Sequence, residues 1–386
     1  MLKKLLPLMA ASLMMSACGH KYVKPSVSPL AGSEEDARLE FALSFFKKTN
    51  QTVAYDENLV VSPYSAAVAL SMLEEGAAGE TKAELDNALN GHLYGAEDLG
   101  SGDGIVVKSA NSLWIDDDFS VRNRYVSLLE KDYDAFVTTR NFSDPATVKE
   151  INNWCGDNTA GKINHILDQL SPNDAMVLIN ALYFNAPWAD AFDEGVTSDG
   201  VFHGVAQDKT VPMMFRNAKY DYAEYQGCQI IRLPYAGERY SMVVVLPPQG
   251  WGIDAIMPYI SGQVYKGAMD MLSKQEVAFR MPRFRLETSL VLDKALKKMG
   301  VETAYTPAAD FKNLSASGQL SLGTVKQKCY IDVTEKGTEA AAVTSAQIRL
   351  TSVSRPYRMT VDRPFLFFIA DSQTDNVLFV GKVVNL

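Results

Sequence analysis

The stretch that most constrains this 386-residue chain is residues 335–353, which read EKGTEAAAVTSAQIRLTSV. From Thr338, every second residue (Thr338, Ala340, Ala342, Thr344, Ala346, Ile348, Leu350) is small or apolar. The intervening set, Glu339, Ala341, Val343, Ser345, Gln347 and Arg349, is mostly polar and carries both signs of charge. This is the period of a strand with one buried face. The run is long against the usual strand of about 5–6 residues. After Gly337 it holds neither Gly nor Pro, so every residue can join a ladder. Three readings fit: a strand able to add itself to a sheet, an ordinary long edge strand, and an Ala-rich helix over 335–346. Thr338, Val343 and Thr344 weigh against the helix because their branched side chains lose χ1 freedom there.

Composition places the segment in a globular protein. Hydrophobic residues make up 47% and charged residues 22%, which excludes disordered, collagen-like and coiled-coil chains. Lys+Arg number 37 against Asp+Glu 46, a net charge of -9 that argues against a nucleic-acid partner. The four histidines (His20, His92, His165, His203) are scattered, so metal and acid–base chemistry have few candidates and no metal or other cofactor is expected. Length alone would allow two or three domains at roughly 150 residues each. From Ser33 onward, however, there is no linker-like composition shift and no repeat.

The first residues read as an address. Lys3 and Lys4 precede a short apolar run over 5–17, too short for a bilayer-spanning helix of about 20 residues. Met15-Ser16-Ala17-Cys18 resembles a bacterial lipobox, with Cys18 as the acylated first residue of the mature chain and Met15 where Leu is commoner. A plain signal peptide cleaved nearby is the alternative. The expected organisation is a signal peptide over 1–17, a lipid-anchored tether over 18–32 and one folded unit over 33–386. That predicts a cell-envelope lipoprotein on the outer membrane or cell surface. Cys155, Cys228 and Cys329 are far apart and odd in number, which favours buried free thiols over a disulfide framework.

Helical spacing is expected over 34–48 with Ser33 as N-cap, over 65–75, 81–89 and 147–155, and over 290–299 before Gly300. Strands are expected over 58–62, 106–115, 176–183, 241–246 and 276–284, with a buried hairpin over 365–370 and 377–383. The order is α+β, without regular βαβ alternation. Residues 156–163 (GDNTAGKI) imitate a phosphate-binding loop, but Ile163 stands where a Ser or Thr should hold magnesium, and a helix precedes it rather than a strand. No G-x-S-x-G, H-E-x-x-H or C-x-x-C is present. A hydrolase with a dispersed triad is left without a supporting residue.

The surroundings of the alternating segment resemble the serpin family, and the resemblance covers nearly all of 33–386. The 335–344 stretch is similar to the serpin hinge. The 58–65 and 76–81 stretches, Ile151-Asn-Asn-Trp154 with 159–163, and 178–184 with Trp188 and Phe192 each resemble a family block. Val211-Pro-Met-Met214, Leu233-Pro-Tyr235, Met281-Pro-Arg-Phe284 and Asp362-Arg-Pro-Phe365 complete the set in order.

The resemblance implies three β-sheets, eight to nine helices and an exposed reactive loop. It implies a monomeric suicide inhibitor of serine, sometimes cysteine, proteases and not an enzyme. The loop is cut, its N-terminal half inserts as a new strand, and the acyl-linked protease is trapped. It makes Glu335, Gly337, Thr338, Glu339, Ala340, Ala341, Ala342, Val343 and Thr344 the hinge. Spacing from Glu335 places the scissile bond at Thr351-Ser352, with Ile348 and Leu350 as subsite residues and Arg349 or Val353 as alternatives. Small aliphatic Thr351 suits an elastase-like or subtilisin-like protease. Ser62, Ser65 and Asn180 match the region where the sheet opens, with Gln327 where the family often has His. Arg283 and Glu335 match a pair near Trp188, and equally suit ordinary surface charges. The alternative function is a non-inhibitory binding or chaperone protein, whose hinge usually holds bulky, charged or Pro residues that this chain lacks.

Overall fold

The computed structural model describes residues 33–338 and 356–386, apart from 98, 103, 171–173, 317–319 and 375. The leader, Cys18, the hinge beyond Thr338 and the expected scissile region around Thr351 lie outside the described residues.

In chain order the helices are α1 (Glu34–Asn50), α2 (Pro63–Gly76), α3 (Gly79–Ala88), α4 (Asn123–Asp132), α5 (Pro145–Asn158), α6 (Ile253–Ile256), α7 (Gly262–Asp270) and α8 (Asp293–Lys298). The strands are β1 (Leu59–Val61), β2 (Ser101–Gly102), β3 (Ile105–Asp116), β4 (Ala135–Arg140), β5 (Met176–Pro187), β6 (Ser198–His203), β7 (Asp208–Tyr225) and β8 (Cys228–Pro234). They continue with β9 (Tyr240–Leu246), β10 (Ser273–Pro282), β11 (Phe284–Val291), β12 (Thr324–Thr334), β13 (Gly337–Thr338), β14 (Tyr357–Thr360), β15 (Phe365–Asp371) and β16 (Val377–Val383).

Local chemistry sets several boundaries. Ser33 Oγ accepts from the Asp36 amide and caps α1. Ser62 does the same for Ser65, and Pro63 follows at the first helical position, where its missing N–H costs nothing. The Ser62 cap ends β1 and starts α2, a helix almost wholly buried under the sheets. α8 begins at Asp293, later than the spacing predicted, because Leu290 and Val291 still belong to β11.

One sheet has seven strands in the order β11-β12-β13-β5-β3-β2, with β4 on β3. The other has nine in the order β1-β16-β15-β9-β8-β7-β10-β14, with β6 on β7. The second and third sheets of the expected trio are the two halves of this larger one. The 18-residue β7 runs through both, pairing with β6 over 208–213, with β10 over 213–222 and with β8 over 221–225.

Strand β5 explains the seven-stranded sheet's position. Leu178, Leu182 and Phe184 join the main core, which also holds α2 and the larger sheet. Val177, Ile179 and Ala181 face a separate small core with Trp114 and with Ile151 and Cys155 of α5. A strand buried on both faces must read as a nearly continuous apolar run, as β5 does.

Candidate functional site

The site is the seam between β5 and β12. In its lower half these strands pair in parallel, from Thr324↔Val177 to Cys329↔Leu182. In the upper half they part, and β13 sits between them. Thr338 pairs with Ala186 on β5 and Val333 on β12, antiparallel to both. The alternating segment therefore enters the sheet at Thr338, its first small in-facing residue, which is wholly buried.

A clasp holds this entry. β12 ends at Thr334 and the chain turns through Glu335 and Lys336. The Trp188 indole donates to the Thr334 carbonyl (2.9 Å) and its amide to the Lys336 carbonyl (3.0 Å). The Phe192 amide donates to the Glu335 carbonyl at 2.9 Å. Trp188 stacks on Tyr235 with centroids 4.5 Å apart, and Tyr235 Oη meets Thr338 Oγ1 at 2.7 Å. Gly337 is required here. Its φ is +148°, and a Cβ would stand 2.2 Å from the Ala186 carbonyl oxygen.

Glu335 is buried beside Arg283. Its Oε1 accepts from Arg283 Nε (2.6 Å) and from Thr197 Oγ1 (2.5 Å). Burial raises the carboxyl's pKa, but the bonds from Arg283 and Thr197 outweigh it and hold it below the ordinary 4.5. Arg283 and Glu335 are thus in contact beside the clasp, while Lys336 reaches Glu194 at 3.4 Å on the surface.

The lower half is closed by a polar knot on α2. Gln327 Oε1 accepts from the Ser62 amide (3.0 Å) while its Nε2 donates to the Ser62 carbonyl (2.8 Å). One amide side chain thereby satisfies both backbone groups at the start of α2, a pairing that the two-faced Gln can make without protonation. Asn180 donates to Asn111 across β5 and β3. Ser65 Oγ and Asn180 Oδ1 are buried without a hydrogen-bond partner among the described residues. The structure therefore brings Ser62, Ser65, Asn180 and Gln327 together below, and Trp188, Arg283, Glu335, Gly337 and Thr338 above.

Sequence reasoning gave no role to Tyr235, Thr197 or Asn111. Tyr235 stood in a quoted block, and its position after Leu233-Pro was the available signal. The three remaining cysteines are buried and free, and burial pushes the Cys155 and Cys228 thiols up to about 12 and about 11.

This geometry coincides with a family match. Residues 36–386 match the serpin (serine protease inhibitor) family. Human Serpin B8 is 33% identical over 367 residues, covering 90% of this chain and 98% of its own. The leukocyte elastase inhibitor of Sus scrofa is 30% identical over 372 residues, covering 90% and 98%. The thermophilic serpin tengpin, solved in its native state, aligns with a TM-score of 0.83 at 30% identity, covering 93% of this chain and 96% of that one. The chain belongs to the serpin family, a family of protease inhibitors in general rather than of catalytic enzymes.

Proposed function

We propose that this serpin is inhibitory and traps a serine protease by inserting its cleaved loop between β5 and β12. The seating of Gly337-Thr338 between two strands that are still paired below carries this reading. An incoming strand would extend antiparallel to both neighbours, and small residues at Ala340, Ala342, Thr344 and Ala346 enter at little steric or desolvation cost. Glu339 and Arg349 fall on the other face and keep their hydration.

The scissile bond in this reading is Thr351-Ser352. A small aliphatic residue there suits an elastase-like or subtilisin-like pocket, and the likeness to an elastase inhibitor supports it. Arg349 would admit a trypsin-like enzyme instead. The lipobox-like Met15-Ser16-Ala17-Cys18 supports anchoring of the mature chain to the cell envelope through Cys18. Loss of palmitate labelling in Cys18→Ser tests the anchor.

Incubation with elastase, subtilisin, trypsin and papain tests the inhibitor reading. The expected result is a covalent complex on a denaturing gel, with mass spectrometry of the released C-terminal peptide starting at Ser352. Clean cleavage without any complex would sink it and leave a non-inhibitory binding protein.

A further inference from the structure

The chain re-enters the described structure after the reactive segment at β14, the strand that closes one side of the nine-stranded sheet. Six residues lead from Thr351 to Tyr357, a reach of at most about 20 Å. A protease engaged at Thr351-Ser352 therefore comes to rest close to this end of the sheet. Registers assign the faces there. On β10, Val277, Phe279 and Met281 are wholly buried, so Lys274, Glu276, Ala278 and Arg280 form the outer face. Lys219 of β7 is opposite Glu276 and Arg358 of β14 is beside Ala278, which puts both on that outer face. Tyr357 turns inward, its ring 5.0 Å from that of Tyr222, and Gln229 Nε2 donates to the Arg358 carbonyl at 2.9 Å. β14 is thus held with the Arg358 side chain outward and exposed.

The charges on this face are uneven. At its far end Lys274 pairs with Asp221 at 3.3 Å. Arg280 donates to Ser198 Oγ and meets no carboxylate among the described residues. Lys219 and Arg358, both exposed, likewise have no carboxylate partner among them. Beyond the Lys274–Asp221 pair the face therefore sets Lys219, Arg280 and Arg358 against Glu276 alone, on a chain of net charge -9. Arg355, between Ser352 and β14 in sequence, carries the same sign. Cations gathered without carboxylate partners beside the loop give this end of an acidic molecule a local positive field.

We propose that the outer face of β7, β10 and β14 is a docking surface for a protease that is acidic on the side receiving the residues after the scissile bond. Lys219, Arg280 and Arg358 supply the attraction. Because these side chains stay in water, they act on encounter and partner choice more than on the lifetime of the complex. Small aliphatic Thr351 fits many proteases, so the charge of this face selects among enzymes that the loop alone does not distinguish. The inference rests on the loop being the protease's target, as proposed above, but not on trapping.

The test compares subtilisin with subtilisin whose surface lysines have been succinylated to carboxylates. The readout is the second-order rate of loop cutting in the full chain, divided by the rate on a free peptide of residues 345–356, which carries the loop without the face. Succinylation should raise this ratio about tenfold at low salt, and about 0.5 M salt should abolish the gain. Lys219→Glu, Arg280→Gln and Arg358→Glu should each remove part of the gain and together all of it, with Tm nearly unchanged because no ion pair is broken. Lys149→Glu on α5 makes the same charge change elsewhere and should leave the ratio alone. Complex on a denaturing gel is read in parallel. Charge-dependent cutting without complex would sink the inhibitory reading and leave the docking surface standing. Complex formed at ratios indifferent to succinylation or to the triple variant would overturn the docking surface alone. An equal effect of Lys149→Glu would reduce the attraction to net charge and overturn it too. Retention on a sulfated-polymer column, lost in the triple variant while cutting stays unmoved, would assign the face to a polyanion instead. No cutting of the loop by either enzyme would overturn both readings.

Discussion

The upper and lower halves of the β5–β12 seam solve the same problem in opposite ways. Below, six residue pairs close the strands directly, and Gln327 ties β12 to the start of α2 through buried neutral hydrogen bonds. Above, two residues of a third segment hold the strands apart, fixed by an aromatic stack, three carbonyl contacts and a charged pair. The closed half is buried, and its Gln327 knot holds only neutral groups, the Cys329 thiol among them, which donates to Gln327 Oε1 at 3.6 Å. The open half has Glu335 and a partly exposed Arg283. Opening is thus confined to one end, and the sheet has a defined direction in which to lengthen.

The largest expected effect comes from making the upper slot impossible to enter. Thr338→Arg puts a guanidinium under Tyr235, and Ala342→Pro removes a ladder donor. Both should leave loop cleavage intact and cut the yield of covalent complex by about a hundredfold or more, as burying an unpaired charge implies. A variant that still traps protease would show that trapping does not proceed through the upper slot.

Breaking the lower half comes next. Gln327→Ala leaves the buried Ser62 amide without an acceptor, while the Ser62 carbonyl keeps only the Ala66 N–H. It should lower stability by about 2–4 kcal/mol, read from denaturant midpoints. Gly337→Ala acts on the upper half. The clash with Ala186 should eject β13 and cost about 1–3 kcal/mol, with exchange rising at the Trp188 amide before the lower seam responds.

The smallest effect sharpens the electrostatic contrast. The folded pKa of Glu335 is lowered, so its contribution is complete above the ordinary 4.5 and fades as pH falls through the folded value. Glu335→Gln should cost about 1 kcal/mol at neutral pH and nothing in acid. Its stability difference from the natural chain should vanish in melts run at progressively lower pH. A difference that persisted in acid would mean that the Glu335 charge does not fasten the upper half.

The parts legible in sequence were those whose pattern is local. β5 announced itself as an apolar run, and the β15–β16 hairpin as two runs around a polar turn. β12 was not legible: Gln327 breaks the apolar face formed by Val325, Cys329, Ile331 and Val333, and Lys326 and Lys328 occupy the opposite face. Those lysines extend over the sheet to the carbonyls of Ile166 and His165, which no local window contains. β7 was missed for a related reason. Its 18 residues change partners midway, so their burial follows no single period. Tyr235 and Thr197 joined the site only through chain approaches more than a hundred residues apart.

The second, smaller core has a consequence for how the sheet can grow. Ten buried residues hold α5 and the following chain over β5, and Asn152 pins that chain through the Ile166 and Leu167 backbone. The main core lies wholly on the other side. α5 is therefore a cover with its own fastening, a cooperative unit whose release would uncover ten residues while the load on the principal core stays unchanged. A molecule arranged this way can loosen one side of a sheet under tension without approaching global unfolding.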